Sequence, residues 1–220
     1  MKKTLAFLTL LTAMNTHAAD IDISITNATK GIFFTPILIA AHSSSSHLFR
    51  TGESATTELE AMAEGGDISG LSSMVTNAGG MVVSDPASGI LNPGISATAS
   101  MNTGSLDRLS ITAMLLPTND GFVGLDSWEI PSAAGTYTFT LNSYDAGTEA
   151  NDELAGSMPN PPFITFGSGG TGVETAVSNN KVHIHPGNIG DSNATGGLSD
   201  LSNTAYRWLN PVAIVTVTVK

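Results

Sequence analysis

Several stretches of the chain alternate between apolar and polar residues, which is the pattern of a β-strand with one buried face. The clearest are residues 21–26, 109–115, 137–141 and 212–219. Val and Thr are frequent in them, and β-branched residues suit strands. Gly, Pro, Asn and Asp interrupt the runs at short intervals and indicate turns. Many short strands joined by polar turns predict an all-β fold, specifically an antiparallel β-sandwich.

One segment has a helical pattern instead. Residues 54–64 are rich in good helix formers. Ser54 is placed to accept a hydrogen bond from an unpaired backbone N–H at the helix start. Gly65 and Gly66 follow, and glycine is typical of a helix end. We therefore expect one short helix packed on the sandwich.

Residues 1–18 have the layout of a secretory signal peptide. Lys2 and Lys3 supply a positive start, and small residues precede a cleavage point before Ala19. The apolar run at residues 5–14 is too short to cross a bilayer as a helix. An uncleaved N-terminal anchor is the alternative interpretation.

The remaining chain, residues 19–220, is long enough for one domain with a sizeable core, and no linker or repeat divides it. It has no Cys, which excludes a disulfide scaffold and a Cys-ligated metal. The whole chain has 8 basic and 19 acidic residues and a net charge of −11, which argues against nucleic-acid binding. No later stretch is apolar enough for stable membrane insertion. The leader and the lack of Cys favour a secreted bacterial protein, periplasmic or extracellular.

Carboxylates are dense in the middle of the chain. If residues 108–116 and 136–142 run up the sandwich and a strand between them runs down, the loops 118–126 and 143–152 meet at one end. Carboxylates held close together either raise one another's pKa or share a cation. Calcium prefers six to eight oxygen ligands. The candidate calcium ligands are Asp120, Asp126, Asp145 and Glu149, with Asp152 and the carbonyls near Gly121 and Gly147 as further donors. The alternative is that Asn-Asp-Gly and Asp-Ala-Gly only form turns.

Two motifs make the sequence resemble a known family. They read F-V-G-x-D-S at residues 122–127 and Y-D-A-G-T at residues 144–148. Weaker motifs accompany them along almost the whole chain after the leader, including T-N-D-G at 118–121 and H-P-G at 185–187. In this order they resemble the spondin N-terminal domain family. This is the module of F-spondin and mindin, and it also occurs alone in secreted bacterial proteins.

The resemblance implies an antiparallel β-sandwich, similar to calcium-dependent membrane-targeting domains, with calcium bound by loop carboxylates. Asp126 and Asp145 match positions where the family carries acidic ligands. Glu149 stands where the animal modules usually have Asp, and Asp120 is either a ligand or a turn residue of the bacterial branch. The chain lacks Cys and appended thrombospondin-type repeats. The matrix and receptor binding of the animal proteins therefore does not transfer directly.

The histidines form a second candidate site. His183 and His185 share one face of a strand, and His42 and His47 flank four serines. Three of the four would make an open zinc site. The alternative is that they are ordinary strand residues, one of which bonds the turn at residues 186–187.

Other catalytic signatures are weak. Residues 167–172 match G-x-G-x-x-G, but no clear helix follows, so a flexible loop is the simpler interpretation. The chain has no G-x-S-x-G, S-x-x-K or H-E-x-x-H motif. Trp128 and Trp208 are the only tryptophans, which leaves few aromatic platforms for a glycosidase.

The sequence therefore favours a secreted calcium-binding β-sandwich that acts in adhesion or extracellular recognition without catalysis. Its ligand would be an unidentified extracellular protein or glycan. The first alternative is a secreted metal-dependent hydrolase that uses the acidic loops or His183 and His185. The second is a purely structural surface subunit with no ligand.

Overall fold

A computed structural model of the protein describes residues 19–158, 179–193 and 196–220. The predicted leader at residues 1–18 and the glycine motif at residues 167–172 lie outside the described residues. Within them, no helix has both the length and the apolar character needed to span a membrane.

The described residues form ten strands and three helices. The strands are β1 (Asp20–Asn27), β2 (Phe33–Phe34), β3 (Leu38–His42), β4 (Met81–Ser84), β5 (Ser96–Asn102), β6 (Arg108–Leu116), β7 (Gly121–Glu129), β8 (Gly135–Asp145), β9 (His183–Ile184) and β10 (Ala213–Val219). The helices are α1 (Thr57–Gly65), α2 (Ser69–Asn77) and α3 (Asn203–Tyr206). The pairings between these strands are antiparallel. The prediction of an all-β antiparallel fold is confirmed.

The strands follow the order β4-β3-β6-β7-β8-β10-β1-β5, with β2 beside β6 and β9 beside β8. Strand β8 connects the two halves of this sheet. Its residues 135–141 pair with β10, and its residues 142–145 pair with β7. The last residues of β8 also pair with β9. Strand β8 therefore carries the chain from one layer of the sandwich to the site described below.

Two apolar clusters hold the fold together. The larger lies between the sheet layers and includes the buried side chains of Ile23, Ile111 and Val215. The smaller lies between the sheet and helices α1 and α2 and includes Leu59 and Met114. Strand β6 contributes to both clusters, so it is buried on both faces. This explains why its sequence changes from alternating to continuously apolar.

Helix α1 begins two residues later than predicted. The side chain of Thr56 caps it by accepting a hydrogen bond from the Leu59 N–H at 3.2 Å. The prediction of Ser54 as the cap was wrong, because its hydroxyl instead accepts from Lys181 Nζ at 2.8 Å. The helix ends at Gly66, whose φ of 69° is left-handed, as the glycine pair predicted.

Helix α2 was not predicted from the sequence. Its residues S-G-L-S-S-M-V-T-N include several weak helix formers. Its buried residues, Leu71 and Val75, pack in the smaller apolar cluster. Burial of these two side chains therefore stabilises a helix that the local sequence does not favour.

Three aromatic rings pack around Gly124 beside the strongest sequence motif. The ring centroids of Phe49 and Phe122 are 5.0 Å apart, and those of Phe49 and Tyr144 are 4.9 Å apart. A Cβ atom on Gly124 would lie 2.6 Å from Cζ of Phe49. This position therefore requires a residue without a side chain.

We predict that Gly124→Ala lowers the free energy of unfolding by about 1–3 kcal/mol, because the added methyl group overpacks the aromatic cluster. Urea unfolding measures this change. Gly135→Ala is the matched control, since its added Cβ would meet its nearest neighbour at an ordinary 3.6 Å. Equal effects of the two substitutions would contradict the packing explanation.

Candidate functional site

The β7–β8 pairing brings acidic residues together at one end of the sandwich. Gly121 pairs with Asp145, so Asp120 lies beside the segment that follows β8. The backbone N–H of Ala146 donates to the carbonyl oxygen of Asp120 at 3.2 Å. The turn before β7 and the loop after β8 therefore meet at the same end, as the sequence predicted.

Asp120 is fully buried, and the loop after β8 holds half of its carboxylate. Its Oδ2 accepts the N–H groups of Thr148 at 2.8 Å and Glu149 at 3.1 Å. Its Oδ1 is buried without a hydrogen-bond partner. Burial raises the pKa of Asp120 to about 6, and the charge of Asp145 acts in the same direction. One oxygen is thus available for a further electrostatic partner.

Glu149 has the more unusual environment. Its side chain is 2% exposed, and both carboxylate oxygens are buried without a hydrogen-bond partner. Burial raises the pKa of Glu149 to about 8. Repulsion from Glu64 and Asp120 adds to this effect, and so does a hydrogen bond that the protonated form shares with Glu64. Asn119 opposes the shift but forms no well-directed hydrogen bond with the carboxylate. Without a cation, the site therefore favours the protonated form of Glu149.

Asp145 adjoins this pair, but protein groups hold its oxygens. Oδ1 accepts the N–H of Gly147 at 2.8 Å, and Oδ2 accepts from Asn151 Nδ2 at 2.6 Å. His183 Nδ1 lies 3.6 Å from Oδ1. Among the described residues, no three acidic or histidine side chains are gathered closely enough to hold a metal ion.

Asp126 does not join the other three predicted ligands. The loop predicted at residues 118–126 is shorter, because residues from Gly121 onward belong to β7. Asp126 lies five residues beyond Gly121, the partner of Asp145. This corresponds to about 16 Å along the strand. The strand register therefore separates Asp126 from Asp145.

Asp126 instead pairs with His47 at an irregular point of the sheet. Residues 126 and 127 lie opposite Ser110 alone, because Leu109 pairs with Trp128 and Ile111 pairs with Leu125. His47 Nδ1 lies 3.0 Å from Asp126 Oδ2. The buried Ser110 hydroxyl accepts the Ser127 N–H at 2.8 Å.

The Asp126, His47 and Ser127 side chains do not have the arrangement of a hydrolytic triad. The Ser127 hydroxyl lies 2.9 Å from His47 Nδ1, the same ring nitrogen that contacts Asp126. In a triad the carboxylate and the serine hydroxyl contact different nitrogens of the ring. Ser127 also has a φ of 53°, which the bonds around it support. The cluster joins the chain before α1 to β7.

His185 has a structural role. Its Nδ1 accepts the N–H of Gly187 at 2.9 Å, and its ring lies 5.0 Å from that of Trp208. Burial lowers the pKa of His185 to about 4. In the neutral ring the proton therefore lies on the buried Nε2, and this nitrogen then has no lone pair for a metal. His183 donates from Nδ1 to the carbonyl of Lys181 at 2.7 Å.

Sequence reasoning missed several residues that support the acidic cluster. Asn151 holds Asp145, and Asn119 Nδ2 donates to Asp152 Oδ1 at 3.3 Å. Glu64 acts on Glu149 from the last turn of α1. The register of the β7–β8 hairpin could have indicated Asn119, which lies next to Asp120. Glu64 reaches the acidic cluster only because helix α1 packs against the sheet, and the local sequence has no signal for this.

The fold and this loop cluster define an antiparallel β-sandwich module with an acidic site at one end. The family model of the spondin N-terminal domain, Spondin_N, matches residues 13–162. The chain therefore belongs to the spondin N-terminal domain family, and the resemblance seen in the sequence is confirmed. This family is typical of extracellular, adhesion-type proteins. No curated protein matches the chain.

The buried carboxyl of Glu149 predicts a pH effect on the metal-free protein. Its folded pKa of about 8 exceeds the ordinary value of 4.5, so the folded state retains a proton that the unfolded chain releases. Its stabilising contribution is complete below about pH 4.5 and is lost as the pH rises toward 8. The depressed pKa of His185 acts in the opposite direction below about pH 6.5.

We therefore expect Glu149→Gln to stabilise the protein relative to wild type at pH 8 in chelator, and less so at pH 5. Urea unfolding at both values isolates the Glu149 contribution. Glu60→Gln, at an exposed glutamate of α1, is the control. A difference between wild type and Glu149→Gln that does not change with pH would be inconsistent with a raised Glu149 pKa.

Proposed function

We propose that the protein is a secreted, non-catalytic calcium-binding module that acts in adhesion or extracellular recognition. The observation that carries this proposal is the set of unpartnered carboxylate oxygens on Asp120 and Glu149. A buried carboxylate without a partner is costly unless it is protonated or meets a cation. A bound cation would remove this cost for both residues together.

The donor set suits calcium among the common metal ions. Asp120 and Glu149 offer carboxylate oxygens without a hydrogen-bond partner, whereas Gly147 and Asn151 already hold both oxygens of the adjoining Asp145. Calcium accepts such oxygens together with carbonyls and water, in flexible geometry. His185 does not add a ligand through Nε2. Its Nδ1 accepts the Gly187 N–H, so the proton of the neutral ring lies on Nε2. A zinc site that uses both His183 and His185 is therefore less well supported.

The proposed ion would act on the loop after β8. Asp120 already holds this loop through the N–H groups of Thr148 and Glu149. A cation shared by Asp120 and Glu149 would join the turn before β7 to the loop after β8 more firmly. The loop end of the sandwich would then present a defined surface to an extracellular protein or glycan.

The hydrolase alternative has weaker support. The serine, histidine and aspartate cluster at Ser127 has both partners on one ring nitrogen. His185 is occupied by a turn and packs against Trp208. The non-catalytic proposal agrees with the adhesion-type character of the family.

Calcium is expected to raise the melting temperature of the purified protein, because a ligand that binds only the folded state stabilises it. At one hundred times the dissociation constant the gain is about 2.7 kcal/mol, or about 5–10 °C for a domain of this size. Calcium and chelator titrations monitored by circular dichroism measure the shift.

Matched variants locate the ion. Asp120→Asn and Glu149→Gln should each abolish most of the calcium shift, whereas Asp126→Asn should retain it, because Asp126 lies with His47 elsewhere on the sheet. No shift at saturating calcium would remove calcium from the proposal. Loss of the shift in Asp126→Asn alone would place the ion at a different position.

A further inference from the structure

Strand β5 is an edge of the sheet with an open hydrogen-bonding side. Among the residues that the structure describes, it pairs only with β1, from Ser96 opposite Thr26 to Asn102 opposite Asp20. In contrast, the other edge strand, β4, has only four residues. The long edge at β5 is therefore the larger template for another strand.

The direction of the backbone groups follows from the bonds at the two ends of β5. Asn27 N–H donates to the carbonyl of Ile95, and Thr103 N–H donates to the carbonyl of Ala19. Odd-numbered residues of this strand therefore bond to β1. Backbone groups alternate in direction along an antiparallel strand, so even-numbered residues face away from β1. These residues are Ser96, Thr98, Ser100 and Asn102.

The outer edge lacks the features that usually block strand addition. Its sequence, S-A-T-A-S-M-N, contains no proline and no charged residue. Its register with β1 continues without a bulge. Proteins commonly protect an edge with lysine, proline, bulges or a covering segment. Among the described residues, no backbone group of another segment bonds to the even-numbered positions of β5.

We propose that this edge binds the same edge of a second copy of the chain, in antiparallel orientation about a two-fold axis. In this dimer the outward backbone N–H and C=O groups of the two β5 strands bond to each other. The register that pairs all seven residues of both strands places the two-fold axis at Ala99. Ser96 then faces Asn102 of the second copy, and Thr98 faces its Ser100. The side chains of these pairs lie on the exposed face of the sheet and are polar and uncharged. On the other face, small Ala97 lies opposite the longer Met101.

The charge distribution favours a second copy despite the net charge of −11. Strand β5 itself has no ionisable side chain. On the neighbouring strand, Asp22 accepts hydrogen bonds from Lys220 at 2.8 Å and Ser100 at 2.6 Å. Asp20 accepts from Asn102 at 2.7 Å. Asp22 is thus neutralised by Lys220 and Asp20 is hydrogen-bonded, and strand β5 itself brings no charge to the contact.

An unrelated extended peptide would use the same main-chain bonds, since strand addition depends little on side chains. The second copy is favoured because the polar and apolar positions match across the axis without a conflict. The contact involves one short strand on each side, so it is small for a protein interface. We therefore expect a dimer that dissociates on dilution.

Sedimentation velocity of the purified protein at increasing concentration tests the association. Thr98→Pro removes an outward N–H and should shift the protein to monomer, and proline is tolerated on a sheet edge. A proline in an interior strand, such as Thr138→Pro in β8, would disturb the sheet itself and does not serve as a control. Thr98→Ala keeps the N–H and should leave dimerisation nearly unchanged. Circular dichroism checks that each variant is folded.

A single cysteine tests the register without relying on affinity. The protein has no Cys. Ala99→Cys would place two thiols across a non-hydrogen-bonded pair with Cα atoms about 4.5 Å apart, within disulfide range. Met101→Cys is the control, because the two thiols would be displaced by four residues, about 13 Å along the strands.

We expect disulfide-linked dimer in mild oxidant for Ala99→Cys and much less for Met101→Cys. Equal cross-linking of the two variants would overturn the proposed register. Monomer at all concentrations, with no preferential cross-linking of Ala99→Cys, would overturn the proposed dimer. Dimer that persists in a folded Thr98→Pro variant would place the contact elsewhere.

Discussion

A carboxylate that leaves water needs a partner, and this constraint organises the loop end of the molecule. Asp120 is held on one side by the N–H groups of Thr148 and Glu149, while its other oxygen and both oxygens of Glu149 lack partners. Burial raises the pKa of both carboxyls. The folded protein can therefore retain protons at this end or share a cation there. The rest of the fold determines how closely these groups approach.

The sandwich provides that proximity through strand register. Gly121 opposite Asp145 brings the turn before β7 to the loop after β8. The helix layer adds Glu64 from the last turn of α1. Gly124, which has no side chain, lets the ring of Phe49 pack directly against strand β7. The packing of the aromatic cluster therefore helps to fix the position of β7. Strand pairing and helix packing thus converge on one acidic cluster.

The sequence was sufficient for the features that depend on local pattern. Alternation predicted β1, β6, β8 and β10, and the glycine pair predicted the end of α1. It did not separate a turn from a strand at residues 121–126, because Gly121 and Gly124 resemble turn residues. In the fold, Gly124 is a strand position that accommodates an aromatic ring. The predicted loop at residues 118–126 therefore included Asp126, whereas the structure places this residue within β7.

Other features depend on contacts between distant segments. The pairing of His47 with Asp126 joins residues 79 positions apart and has no local signal. Helix α2 forms from weak helix formers because Leu71 and Val75 are buried. The sequence placed Asp120, Asp145 and Glu149 near one another because they flank one hairpin, β7–β8. Their role as calcium ligands stays a prediction. The lack of partners on Asp120 and Glu149 was visible only with side-chain positions.

The most direct measurement is a crystal structure grown in calcium, with anomalous scattering used to locate the ion. We expect one calcium peak about 2.3–2.6 Å from the free oxygen of Asp120 and from the Glu149 carboxylate. An ion bound beside Asp126 and His47, or a calcium-soaked crystal with no peak near Glu149, would contradict this expectation.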